Sequence, residues 1–200
     1  MQRIAVFGGT FNPIHNGHIH LAAHFSELLG AQKVLVIPTS VPPHKCAPEL
    51  APTEDRLAMC RLAVKNRSLF EVSDLEIRRG GPSYTSETLV ELKRIFPSAE
   101  LFFITGEDMF ATLHKWHDPE TIFRLATVCA APRSRAGIER LRRYAEQLQS
   151  YGAKTCIADI EYLPVSSTMV RDAVKAGKSI STFVPEAVEQ YIYAKKLYLE

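Results

Sequence analysis

The sequence predicts an α/β fold, a Rossmann-like doubly wound parallel sheet with a small helical C-terminal portion from about residue 165. Three observations carry that expectation. Short apolar runs alternate with amphipathic segments along all 200 residues, the pattern of parallel strands joined by crossover helices. The first apolar run, Ile4-Ala5-Val6-Phe7, empties into Gly8-Gly9, and a helical pattern starts near Gly17. A later run, Leu101–Thr105, also ends in glycine, at Gly106. Ligands of open parallel sheets sit beyond the carboxyl ends of the strands, where both glycine positions fall.

The elements follow in order. Arg3–Phe7 is a strand. Gly17–Leu29 is a helix with Leu21, Phe25 and Leu28 on one face and Gly30 as its stop. Lys33–Ile37 is a second strand, closed by Pro38, and a proline-rich loop runs from Thr39 to Pro52. Thr53 caps a helix whose first turn carries Glu54 and Asp55. Phe70–Ile77 reads as extended, with Val72, Leu75 and Ile77 mostly alternating. Ser86–Phe96 is a helix that turns Leu89, Leu92 and Phe96 inward, and Leu101–Thr105 is a strong strand. Two short helices flank Trp116, the second opened by Asp118-Pro119. Thr127–Ala131 is a strand. Ile138–Tyr151 is an amphipathic helix with Ile138, Leu141, Ala145 and Leu148 on one stripe and Arg140, Arg142 and Arg143 on a solvated face. Lys154–Ala158 is the last strand, and the chain from Ser167 is helical, broken at Gly177 and restarted at Pro185.

Composition bounds the function. A hydrophobic content of 46% over this length supports one domain, residues 1–200, with a sizeable core. A formal net charge of +2 is too small for nucleic-acid binding by bulk electrostatics. No apolar run spans a bilayer, and the N-terminus enters a strand at once, without a visible signal peptide. Cys46, Cys60, Cys129 and Cys156 are scattered and form no metal-ligand spacing, which fits reduced thiols in a cytoplasmic protein; Cys129 and Cys156 fall in core-like strands.

The richest stretch is Gly8-Gly9-Thr10-Phe11-Asn12-Pro13-Ile14-His15-Asn16-Gly17-His18. Glycines without Cβ let a ligand approach the backbone. Free N–H groups at a helix start suit a phosphate, and His15 and His18 bring imidazole donors to the same place. Each part alone is more often an ordinary turn or polar surface; the whole run in register is not. It resembles the HxGH signature of the nucleotidylyltransferases related to class I aminoacyl-tRNA synthetases. Its form is nearest to the bacterial nicotinate-mononucleotide adenylyltransferases, which more often have Asp at the place of Asn12.

A second run, Val165-Ser166-Ser167-Thr168-Met169-Val170-Arg171, puts three hydroxyl side chains before a helix and a guanidinium on its first turn, a set able to grip a polyphosphate. An ordinary serine cap is the bland alternative. The run resembles the same family's ISSTxxR element. Pro42-Pro43-His44-Lys45 resembles its PPHK loop, Gly81-Pro82-Ser83-Tyr84-Thr85-Ser86-Glu87-Thr88-Leu89 its SYTxxTL stretch, and Gly106-Glu107-Asp108 its GxD. Arg56 is expected to serve a surface ion pair. His20 and His24 belong to a polar helix face, and His114 packs or is solvated. Ala131-Pro132-Arg133-Ser134-Arg135 departs from the family's RPGY loop, and no contacts carry over there.

The resemblance implies an HxGH-type nucleotidylyltransferase domain that joins ATP to nicotinate mononucleotide and releases pyrophosphate. It implies His15, His18, Lys45 and Arg171 as catalytic residues. The implied ATP site is Gly8, Gly9, Thr10, Phe11, His18, Gly106, Asp108, Ser166, Ser167, Thr168 and Arg171. The implied nicotinate-nucleotide site is Lys45, Tyr84, Thr85, Trp116 and His117. Mg²⁺ is implied as the cofactor, held mainly by phosphates and water. The expected partners are these two small molecules, with neither nucleic acid nor membrane; a homodimer is left open. Phosphopantetheine adenylyltransferase is the nearest rival, but it usually has Thr at the place of His15 and lacks the SYTxxTL stretch. A non-catalytic nucleotide sensor is the rival from another class, and intact His15, His18 and Arg171 argue against it.

Overall fold

Strand β1, Arg3–Gly9, is apolar on both faces. Ile4 and Val6 enter one core; Ala5 and Phe7 enter the other. That is the character of a central strand covered by helices on both sides. The computed structural model describes residues 1–43, 50–134 and 137–199. Among them, β1 is joined by β2 (Lys33–Pro38), β3 (Phe70–Val72), β4 (Glu100–Gly106), β5 (Ala126–Ala131) and β6 (Lys154–Ile157) in the order β3-β2-β1-β4-β5-β6. Every pairing is parallel. The order reverses between β1 and β4, so the crevice there is the natural ligand position.

The helices divide between the two faces. Helices α1 (Asn16–Leu28) and α2 (Thr53–Val64) bury Ile19, Ala22, Phe25, Met59 and Cys60 on one side. Helices α3 (Leu75–Arg79), α4 (Thr85–Ile95), α5 (Glu107–Phe110), α6 (Pro119–Leu125) and α7 (Gly137–Ser150) cover the other with Leu75, Leu89, Leu92, Phe110, Ile122 and Leu141. The last helices, α8 (Ser167–Lys175) and α9 (Glu186–Ala194), return to the first side through Val170, Val174, Val188 and Ile192. Gly177 has φ 65° and Pro185 stands at the α9 cap, as the sequence suggests.

Five expectations are corrected. The 70–77 stretch is extended only to Val72 and then turns into α3. Val34 N donates to Leu69 O, and the next backbone N–H groups on that side of β2 belong to Val36 and then to Pro38, which has none. The ladder therefore stops. Thr53 does not cap α2; Pro52 stands at the cap and Thr53 is the first helical residue. On α1 the buried stripe starts at Ile19 instead of Leu21, leaving Leu28 59% exposed. Cys156 is half-buried, whereas Cys129 is core.

The fifth correction bears on the site. Arg56 makes no surface ion pair: it is fully buried. Its Nε donates to Ala51 O at 3.1 Å, its Nη1 to Thr39 O at 2.7 Å and Thr10 O at 2.9 Å, and its Nη2 to Ser40 O and Thr53 Oγ1, both at 3.1 Å. Burial pulls its pKa down from the ordinary arginine value, but a guanidinium stays charged in proteins. One side chain thus ties the turn after β1 to the chain leaving β2 and to the approach to α2. Arg56→Met, of similar length but without donors, is expected to lower the unfolding free energy by about 3 kcal/mol or more, since a hydrogen bond to a charged group contributes about 1.5–3 kcal/mol and several carbonyls would be orphaned. Urea denaturation measures this, and a loss below about 1 kcal/mol would contradict it.

Candidate active site

A cavity of about 630 Å³ opens at the carboxyl ends of β1, β2, β4 and β5. Its floor is the turn Gly8–Asn12. A side chain at Gly9 would bring its Cβ within 2.9 Å of the Phe11 ring, so glycine is required for the turn to close over that ring. Gly17 is set in the same way: a Cβ there would meet Val165 at 3.0 Å and the His15 ring at 3.2 Å. The HxGH glycine therefore lets the first helix dock against the segment that precedes α8.

His15 and His18 stack with ring centroids 3.6 Å apart. His15 N donates to His18 Nδ1 at 3.2 Å. With Nδ1 acting as acceptor, the neutral His18 ring carries its proton on Nε2. His15 is buried, and burial, followed by the nearby Arg133 charge, lowers its pKa from 6.5 to about 4. It is a neutral imidazole at physiological pH. Its Nδ1 is buried without a hydrogen-bond partner among the described residues.

The second motif meets the first. Ser167 Oγ donates to Pro13 O at 2.9 Å, and Arg171 Nη1 donates to Asn12 O at 2.9 Å. Arg171 Nη2 reaches Thr168 Oγ1 at 3.4 Å. Ser166 is indeed a helix cap, its Oγ accepting from Met169 N at 3.2 Å, and it lines the cavity as well. Gly8, Gly9, Thr10, Phe11, His15, His18, Gly106, Ser166, Ser167, Thr168 and Arg171 all lie on one cavity wall or another.

Tyr84, Thr85, Trp116 and His117 also line the cavity. Tyr84 stands at the cap of α4, with its ring stacked on His117 at 4.1 Å. Trp116 Nε1 donates to Thr112 Oγ1 at 3.3 Å, and its ring meets Phe103 edge to face at 6.2 Å. The loop before α4 is pinned to the chain leaving β2: Ser83 N donates to Val41 O at 2.9 Å, and Ser40 N to Ser83 Oγ at 2.8 Å. Lys45 lies outside the described residues. Asp108 is not part of the lining; its carboxylate pairs with Arg133 Nη1 at 2.9 Å.

Sequence reasoning missed several site residues. Glu107 is buried, and its carboxylate accepts from Arg133 N at 2.8 Å and from Arg140. Burial works to raise its pKa, but the hydrogen bonds from Arg133 N and Arg140 win and hold the carboxyl below the usual range. Gly137 starts α7 against those oxygens, where a Cβ would sit 3.1 Å away. Glu107 thereby anchors the 131–134 loop, and Arg140 reaches it from the solvated face of α7, where its side chain stays 56% exposed. Glu76, also buried and lining the cavity, accepts from Thr88 Oγ1 at 2.7 Å, and burial raises its pKa. His20 Nε2 donates to Glu161 O at 2.7 Å, tying α1 to the far wall of the cavity. A carboxylate directly after Gly106 was the one available signal for Glu107; nothing in the sequence marks Glu76 or His20.

Known proteins share this architecture. Residues 6–173 match the cytidylyltransferase-like family. A Desulfatibacillum aliphaticivorans protein, described as a probable nicotinate-nucleotide adenylyltransferase, is 39% identical over 218 residues, covering 99% of this chain and 100% of its own length. A Synechococcus protein of the same description is 41% identical, covering 100% of this chain and 96% of its own length. The solved nicotinic acid mononucleotide adenylyltransferase of Plasmodium falciparum, complexed with NaAD, is 20% identical, with 99% of this chain and 98% of that one covered at a TM-score of 0.81, and it shows the shared fold. With the family match over most of its length and full-length relatives at this identity, the chain belongs to the cytidylyltransferase-like family and, within it, to the nicotinate-nucleotide adenylyltransferases.

Proposed function

We propose that this chain transfers the adenylyl group of ATP to nicotinate mononucleotide, giving nicotinate adenine dinucleotide and pyrophosphate in cytoplasmic NAD biosynthesis, with residues 1–200 acting as one catalytic domain. The observation that carries the reading is a single cavity that receives both phosphate-type motifs, from opposite ends of the chain, beside the Tyr84–Trp116–His117 aromatic corner. The 5′-phosphate oxygen of the mononucleotide would attack the ATP α-phosphorus in line. The new P–O bond forms as the bond to the bridging α–β oxygen breaks, and pyrophosphate leaves with that electron pair. The attacking oxygen is already anionic, so no general base and no covalent enzyme intermediate are required. Catalysis is then positioning and charge stabilisation.

Each residue has a matching task. The Gly8–Phe11 backbone, the hydroxyls of Ser166, Ser167 and Thr168, and the Arg171 fork would hold the triphosphate, with Gly106 on the ribose side; Asp108, paired with Arg133 outside the cavity lining, is given no such task. His18 Nε2–H would donate to the α-phosphate as charge builds there. His15, being neutral, would act as a hydrogen-bonding imidazole and not as a cation. Lys45 would meet the phosphate of the mononucleotide. Trp116 would pack on the pyridine ring, and backbone N–H groups at Tyr84-Thr85 and His117 would meet the nicotinate carboxylate. Among the described residues no cluster of three or more His, Cys, Asp or Glu is arranged around a cation. Mg²⁺ would arrive with the ATP substrate, bound by phosphate oxygens and water.

Pyrophosphate release from ATP with nicotinate mononucleotide, nicotinamide mononucleotide or phosphopantetheine as the second substrate tests the assignment. The first of these is expected to be preferred by on the order of a hundredfold in kcat/KM over the second. Two charge-assisted hydrogen bonds, each about 1.5–3 kcal/mol, would face a carboxylate in one and an amide NH₂ in the other. Trp116→Ala should weaken both mononucleotides alike, and equal efficiency with the two would sink the nicotinate assignment. His18→Ala should reduce kcat by about 10²–10³, the usual loss of one transition-state donor, with ATP binding less affected; near-normal turnover would remove His18 from the chemistry.

His15 yields a pH test. Its pKa falls from 6.5 in the unfolded chain to about 4 in the folded one. Its neutral form is favoured by folding, so its contribution is complete above about pH 6.5 and is lost as pH falls towards 4, by on the order of 3 kcal/mol. Unfolding free energies of wild type and His15→Gln at pH 7 and pH 4.5 should therefore converge at the acid end. Parallel pH slopes in the two proteins would refute the buried neutral imidazole.

A further inference from the structure

Asn12 makes contacts that the reaction does not call on. Its Oδ1 accepts from Ala51 N at 3.0 Å and from the Tyr198 hydroxyl at 2.8 Å, and the residue is buried. Its backbone oxygen accepts the Arg171 fork. One residue of the phosphate turn is thus joined to three distant segments: the approach to α2, the cationic helix α8, and the chain beyond α9. Tyr198 is held in the left-handed region at φ 62°, and its ring packs on the core beneath the turn. A large non-glycine residue keeps such a backbone only where its surroundings insist on it. A second phenol does parallel work nearby: the Tyr191 hydroxyl donates to Asp55 Oδ1 at 2.7 Å, next to Arg56 on α2. Asn12 offers Tyr198 a neutral acceptor and places no negative charge beside incoming phosphates.

We propose that Tyr198 is a positioning residue of the active site: its hydroxyl fixes the Asn12 side chain and so holds the phosphate turn in register with Arg171. The inference rests on the adenylyl-transfer reading. Ring packing alone would anchor the tail to the core. The hydroxyl does something different, since it ends on a polar atom of a residue that lines the cavity. Burial pushes that hydroxyl's pKa up, so it remains a donor across the working pH range. A turn displaced by a fraction of an ångström leaves ATP bound but misaligned for in-line attack, an effect that falls on kcat.

Tyr198→Phe in the full chain keeps the ring and removes the hydroxyl. Steady-state pyrophosphate release should show kcat reduced about three- to tenfold, the range of one lost hydrogen bond, with KM for ATP changed less than twofold. Backbone amides of residues 8–16 should exchange faster with solvent, while the urea midpoint moves little. In an Asn12→Leu background the Tyr198→Phe change should cost nothing more, since coupled partners are not additive. A kcat within twofold of wild type, or a lowered urea midpoint with kcat retained, would overturn the proposal. So would a full further loss in the Asn12→Leu background. If wild type releases no pyrophosphate with any mononucleotide, the adenylyl-transfer reading fails instead, and exchange at residues 8–16 still decides: unchanged rates in Tyr198→Phe refute the positioning role.

Discussion

The site depends first on a buried cation. Arg56 sits beneath the cavity with every donor turned to a carbonyl or hydroxyl oxygen, and among the described residues it has no carboxylate at ion-pair distance. Loops that leave the carboxyl ends of parallel strands carry carbonyls that no neighbouring strand can satisfy, and buried carbonyls left unpaired are costly. A guanidinium with five donors in a rigid fork satisfies several at once. That is why one side chain can hold the turn after β1 at a set distance from the chain leaving β2. Both segments, the glycine turn and the start of the proline-rich loop, are held in place by this residue.

The polar interior around it follows a consistent logic. Guanidinium, imidazole and hydroxyl groups line the cavity, while the buried acids that share its lining, Glu76 and Glu107, are spent on structural hydrogen bonds. Glu107 is occupied by Arg133 N and Arg140, and Asp108 by the Arg133 side chain. Asn12 is uncharged at a place where family members more often carry an acid. The buried His15 imidazole, its pKa lowered by burial, adds no net charge at physiological pH.

How much of this was legible depended on the range of the interaction. β1, β2, β4 and β5 were readable because a strand buried on both faces is a continuous apolar run, and Asp118-Pro119 opened a helix as such a pair should. The boundary at Val72 was not, because a proline on the neighbouring strand ended the ladder. Both phosphate motifs lie in contiguous sequence, so their residues could be named; that α8 hydrogen-bonds to Asn12 and Pro13, more than 150 positions earlier, is a tertiary fact. Arg56 was misread for a sound reason: an arginine beside two acids on a helix is usually at the surface. Only the geometry of three loops around it reveals what it serves. Glu76 and His20 gave no local signal at all.

The docking of Gly17 against Val165 has a consequence for synthesis. The glycine turn at residues 8–18 is made well before the residues that clamp it, which lie at 165–171, at Asn16's partners Thr182 and Phe183, and at Tyr198. While those are still inside the ribosome, the earliest-made part of the site has no partner on that side. A domain that emerges N-terminus first therefore completes the wall around that turn only after residue 198 has emerged. A chain interrupted between β6 and α8 would carry all six strands and a cavity with one wall unassembled.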